Sequence, residues 1–308
     1  SLVGSEMCIR DRGYTMHHAI SQDKQGNILA TVSKTSAKIA NGKDVRINDF
    51  IIMMDPEKGE ILQEWDLVHM LDSARYGMTD YDLTSDPFAQ SASNWAHNNG
   101  IVEWGDDYLA TARYQGIFKF NKAGGIEWII SPHGYWRDKY LKLLLNPLHA
   151  DGTPITDPEV IAGTKNCDDF EWPWGCHTAV PLPNGHILYF NNGYGRNFKL
   201  DFTDRKNIYT CGIEYEVDEV NRTVRQVWQY GKERGAAYFT PARSGVQYLE
   251  QTGNRLICPG MSNVLSNGNR GARVTEVDPE TQDVVFELEL EDAIYQRVYR
   301  MSLYPENQ

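Results

Sequence analysis

The chain has 308 residues, 41% of them hydrophobic and 23% charged, which suffices for one large core and leaves room for two domains. A formal charge of −12 and the lack of any Lys/Arg cluster exclude a polyanion partner such as nucleic acid, while a small anionic substrate held by a few donors in a cleft stays open. No apolar run is long enough to predict a membrane-spanning helix.

Taken in chain order, SLVGSEMCIRDR (1–12) has neither the apolar stretch of a signal peptide nor a strand pattern that continues, and it reads as a non-native, assembly-derived segment. From residue 13 onward a repeat organises the chain. HAISQDKQGNILATVS (18–33), HNNGIVEWGDDYLATAR (97–113), HTAVPLPNGHILYFNNG (177–193) and SGVQYLEQTGNRLICPG (244–260) share one plan: a polar head, a short alternating strand, a turn, and an apolar strand. Each is followed by a second hairpin, at 50–67, 117–130, 213–230 and 274–290, whose centres (DPEKG, NKAGG, DEVN, DPETQ) are turn chemistry. Four strands per unit is a propeller blade, so the predicted fold is all-β, a β-propeller over 13–308 with blade units starting near 18, 97, 177 and 244. The insertions at 68–94 and 131–170 lengthen two units, and AIYQRVYRMSLYP (293–305) is expected to be a closing strand.

Equivalent starts of inner strands converge on a propeller axis, which brings His18, His97 and His177 together with Ser244 as the fourth member. Asn99 lies two residues after His97 and so is expected on the same face of its strand, and Arg113 ends the strand that returns to the same rim; donors of this kind around one point suit a tetrahedral oxyanion. Tyr194 and Arg196, after the second strand of the His177 unit, are candidates for lining the mouth, whereas Trp95, Trp172 and Trp174 are expected to pack between blades. His69, His133, His149 and His186 receive no role. The cysteines, Cys8, Cys167, Cys176, Cys211 and Cys258, lack C-x-x-C pairs, and Cys167 with Cys176 can be read either as a small disulfide loop before His177 or as two thiols. Three chemistries remain open on the residues alone: group transfer through a histidine, a metal-dependent enzyme with a ring of imidazole ligands, and a non-catalytic propeller that binds an anion or glycan.

The ordered segments HHAI, NWAHNNGIVEW, TARYQG, WPWGCHTAV, NNGYGRN and VWQYGKERGAAYFTP, spread over nearly all of 13–308, resemble the bacterial aryl-sulfate sulfotransferases that do not use the nucleotide donor PAPS. The absence of a G-x-x-x-x-G-K-[ST] loop agrees with this. The resemblance implies a six-bladed ring of which this chain supplies the C-terminal four or so blades. It also implies ping-pong transfer of a sulfuryl group from a phenolic sulfate ester to a phenolic acceptor through a sulfohistidine, with no cofactor. An exported, periplasmic location follows from the family, and a homodimer is left open. Residue by residue, it makes His177 the nucleophile, with His97, Asn99 and Arg113 gripping the sulfuryl oxygens. His18 is taken as the remaining pocket histidine over His17, because His18 to Gly26 and His177 to Gly185 are both eight residues.

Overall fold

The computed structural model describes residues 13–41, 44–75, 95–200, 203–262, 268–269 and 271–291. They form an all-β fold of four sheets, antiparallel but for one added parallel strand. The first contains β1 (Tyr14–Gln22), β2 (Ile28–Asn41), β3 (Asp44–Met54) and β4 (Ile61–Asp66); the second contains β5 (Asn98–Trp104), β6 (Asp107–Ala112), β7 (Gly116–Phe120) and β8 (Ile126–Ile130). A short strand, β9 (Asn146–Leu148), comes next, followed by β10 (His177–Pro181), β11 (Ile187–Asn191), β12 (Cys211–Asp218) and β13 (Thr223–Tyr230). The last sheet is β14 (Ser244–Tyr248), β15 (Arg255–Pro259), β16 (Gly271–Val277) and β17 (Val284–Glu291). In each sheet the strands run in sequence order, and β9 adds in parallel to the outer strand β13, covering part of an edge the sequence pattern had left bare. The expected strand at 293–305 and the segment 1–12 lie outside the described residues.

The turns follow from side-chain chemistry. In the outer hairpins Asp55, Asn121, Asp218 and Asp278 each accept backbone N–H groups two to four residues ahead, at 2.8–3.2 Å. Asp23 does the same in the first inner hairpin. A carboxylate or amide that closes its own turn fixes the loop and with it the strand register.

Alternation then assembles the core. Leu109 and Ile117 face the third sheet with Ile187 and Tyr189, while Tyr108, Ala110, Phe118 and Phe120 face the first with Ile51 and Met53. Leu188 and Phe190 turn the other way, toward Val246 and Ile257 of the last sheet. Both faces of the middle sheets are therefore buried, the packing expected of adjoining propeller blades, with each fully buried large side chain contributing about 1.5–3 kcal/mol. Along one line the inner strands meet in order: β1 touches β5, β5 touches β10, and β10 touches β14.

Candidate active site

The predicted heads meet on that line, but not all at equivalent rungs. Between β5 and β6 the hairpin has two residues, Gly105 and Asp106, whereas five separate β1 from β2 and β10 from β11. His18 and His177 each lie four residues before the last paired residue of their strand, as their equal spacing to a glycine predicts, and the shorter hairpin displaces His97. His177 opens β10 opposite Phe190, whereas His97 stands one residue before β5, its carbonyl accepting the N–H of Arg113 at 3.0 Å. His18 sits inside β1, in a bulge between Met16 and Ile20. Bulges also interrupt β5 between Asn98 and Gly100 and β10 between His177 and Ala179. His18 (φ 57°), His97 (φ 53°) and Thr178 (φ 42°) adopt left-handed backbone conformations there.

The rings come together nonetheless. His18 Nε2 lies 3.1 Å from His97 Nε2, and the His18 ring centroid lies 4.7 Å from that of His97 and 6.4 Å from that of His177. Arg113 is delivered by a tight turn, closed by the Gln115 N–H to the Ala112 carbonyl, that needs Gly116. With φ of 105°, any Cβ at Gly116 would come within 2.3 Å of the Ile130 carbonyl oxygen. The Arg113 guanidinium donates to the carbonyls of Pro241 (2.8 Å) and Gly175 (3.5 Å), and lies 4.7 Å over the Tyr194 ring. Its charge acts on all three imidazoles. Burial, first of all, and the neighbouring positive groups hold His97 and His177 well below the usual imidazole range and bring His18 down to about 3. The three are therefore neutral near pH 7.

One contact fixes the chemistry of His177. Its Nδ1 lies 2.6 Å from Asn192 Oδ1, and the Asn192 amide nitrogen donates to Thr240 O (2.8 Å) and Ser244 Oγ (3.0 Å). The amide oxygen can only accept, so Nδ1 of His177 carries a proton, and the ring also hydrogen-bonds the Gly175 backbone. Ser244 thus joins the group through Asn192. The Asn99 amide donates to Cys176 O at 2.8 Å and accepts from Thr111 Oγ1 at 2.7 Å, which anchors the residue before His177 to the neighbouring sheet. The bulge at Asn99 removes the simple two-residue alternation by which Asn99 and His97 were expected to share a face.

Arg196 is not brought to this group. It is buried in an ion pair with Glu171, with its guanidinium 3.9 Å over Tyr209 and donating to the carbonyls of Asn207 and Tyr209. Tyr194, in contrast, backs Arg113. Trp95 and Trp172 are buried in cores between sheets, and Trp174 packs on Phe198. Cys167 and Cys176 are unpaired thiols, and burial pushes Cys176 up to about 12.

Sequence reasoning passed over four residues. Asn192 was in plain view as the first strand-end polar group after FN, but its partner His177 is fifteen residues away. His17 Nδ1 touches His18 Nδ1 at 2.9 Å, and its Nε2 lies 3.5 Å from buried Asp49. Asp49 in turn accepts the N–H of Asn98 at 2.9 Å, linking the first two sheets beneath the cluster. Arg243, beside Ser244, adds a second positive charge that acts on His18.

As to a metal, the imidazoles form no three-donor cluster. Among the described residues, the grouping of His, Cys, Asp or Glu donors close enough to share an ion lies elsewhere, at His149, Cys167 and Asp169.

Comparison with known proteins agrees with the motif resemblance. The family model described as arylsulfotransferase (ASST) matches residues 5–300. The arylsulfate sulfotransferase AssT of Escherichia coli is 28% identical over 316 aligned positions, and that of Lelliottia amnigena 29%, in each case covering 93% of this chain and 52% of the relative. The chain thus spans about half the length of the curated relatives it matches.

Proposed function

The chain belongs to the arylsulfotransferase family, and from that premise we propose that it transfers a sulfuryl group between phenols through His177. The observation that carries the reading is the Asn192 contact, which puts a proton on Nδ1 of a neutral imidazole and so makes Nε2 the nucleophilic nitrogen. In the first half-reaction Nε2 attacks sulfur, the N–S bond forms, and the S–O bond to the aryl group breaks with its electrons leaving on the phenol oxygen. The proton on Nδ1 remains hydrogen-bonded to Asn192 while the ring becomes cationic. In the second half-reaction an acceptor phenol gives up its proton, its oxygen attacks sulfur, and the N–S electrons return to Nε2.

Arg113 acts as a fixed positive charge facing the sulfuryl oxygens, with His97, Asn99 and His18 as N–H donors; groups held in place before the reaction need no reorganisation during it. An arriving sulfate ester brings a negative charge that favours protonated imidazole. His97 and His18, in hydrogen-bond contact with each other, are then suited to carry the phenol's proton between the half-reactions, with His17 and Asp49 behind them. The guanidinium and the lack of a three-donor cluster among the axial imidazoles favour this reading over a metal enzyme. An exported location belongs to the same proposal, as does a six-bladed ring with the axial site at its centre.

The test is incubation with p-nitrophenyl sulfate and phenol. Nitrophenol release, phenyl sulfate formation and, without acceptor, a sulfuryl adduct on the peptide containing His177 are expected. His177→Asn should abolish all three. Turnover that survives His177→Asn, or that a chelator removes, overturns the proposal.

A further inference from the structure

The segment between β8 and β10 carries a second polar cluster that the transfer chemistry does not use. We propose that His149, Cys167 and Asp169 bind one divalent cation of the zinc class. One ligand atom from each, an imidazole nitrogen, a thiol sulfur and a carboxylate oxygen, lies within 4.8 Å of the others. His149 Nδ1 is 3.0 Å from Asp169 Oδ1 and 3.2 Å from Oδ2, and Cys167 Sγ is 3.1 Å from Oδ1. These separations are close to those between neighbouring ligands around a tetrahedral ion with bonds of about 2.0–2.3 Å. All three side chains are partly exposed, which leaves a fourth position to water.

The donor set selects the ion. Calcium and magnesium take oxygen ligands almost throughout, whereas one nitrogen, one sulfur and one oxygen suit zinc or its spectroscopic substitute cobalt. The surroundings hold the ligands in place: Asp169 Oδ2 also accepts the N–H of Ala150 at 2.9 Å, and the Ala150 carbonyl accepts from Arg225 at 3.0 Å. The Cys167 thiol gives up its proton when the cation binds.

The ion would close the loop from 149 to 167 and fix its exit. Phe170 and Trp172, immediately beyond, are packed in the core that leads to His177. A cation here is therefore a clamp on the approach to the axial site, at a distance from its chemistry.

The experiment uses the whole chain, reduced and freed of metal. Titration with Co²⁺ should give a thiolate-to-cobalt absorption band that saturates at one equivalent and is displaced by Zn²⁺. The band should vanish in Cys167→Ser and persist in Cys176→Ser. Asp169→Asn should weaken Zn²⁺ binding by at least about tenfold. Independently of any variant's folding, one equivalent of Zn²⁺ should protect Cys167 of the unaltered chain from alkylation, located by peptide mapping. No band, a band that Cys167→Ser leaves unchanged, or equal alkylation with and without Zn²⁺ would overturn the proposal.

Discussion

The axial cluster and the trio at His149, Cys167 and Asp169 both use imidazole, and they differ in everything around it. On the axis His97 and His177 are buried while His18 is exposed, and all three are set near the guanidinium of Arg113, with the Asp49 carboxylate behind His17. In the insertion the ring is half-exposed and meets a carboxylate that also accepts from a thiol. The same side chain is thereby prepared for opposite ligands. A site with buried neutral imidazoles and a fixed cation suits an anion, and a site with an ionised carboxylate and a thiol suits a cation.

The strongest way to break that contrast is to remove the axial cation. Arg113→Gln should lower kcat for aryl-sulfate turnover by about a hundredfold to a thousandfold, the usual cost of losing one preorganised charge-stabilising donor. Co²⁺ binding at Cys167 should not change. Turnover within a few-fold of the unaltered chain would show that the sulfuryl oxygens are held by other groups.

Acid gives the next largest effect. His18, His97 and His177 all have folded-state pKa values below the ordinary 6.5 of the unfolded chain. Unfolded chains therefore take up these protons first as pH falls. Stability is fully present above about pH 6.5 and is lost below it, by about 1.4 kcal/mol per pH unit for each of the buried His97 and His177, while the exposed His18 contributes less because solvent screens it. Denaturant melts from pH 7.5 to 5 should show this slope, and His97→Gln should reduce it by one proton. A flat profile would mean that the rings are hydrated and protonate freely in the folded chain.

How much of this was legible beforehand depended on whether the determining contact was local. The hairpins were readable because Asp55, Asn121, Asp218 and Asp278 close their own turns within a few residues. The convergence of His18, His97 and His177 was readable because repetition implies a common axis. The rung of each ring was not, since a two-residue hairpin after β5 shifts His97 relative to His177. Asn192 and Asp49 were invisible because their importance comes from partners on other strands. Arg196 misled for the same reason, as its partner Glu171 lies before the strand pair and buries the charge away from the axis.

Ser244 offers the finest test, because it reaches the reaction only through Asn192. Its hydroxyl accepts one amide hydrogen of Asn192 at 3.0 Å, while Thr240 O takes the other at 2.8 Å. Ser244→Ala removes one of the two contacts that keep the amide oxygen toward His177. The remaining contact still favours that orientation, so the cost should be that of one buried neutral hydrogen bond, about 1 kcal/mol, or several-fold in rate. It should appear in kcat for the first half-reaction and leave aryl-sulfate binding unchanged, since a positioning residue two bonds removed does not touch the ester. Asn192→Ala, which removes the acceptor itself, should cost more and leave Ser244→Ala with no further effect in the double variant. Additive losses would separate Ser244 from Asn192, and a fall in affinity would place the Ser244 hydroxyl in the pocket as a direct contact.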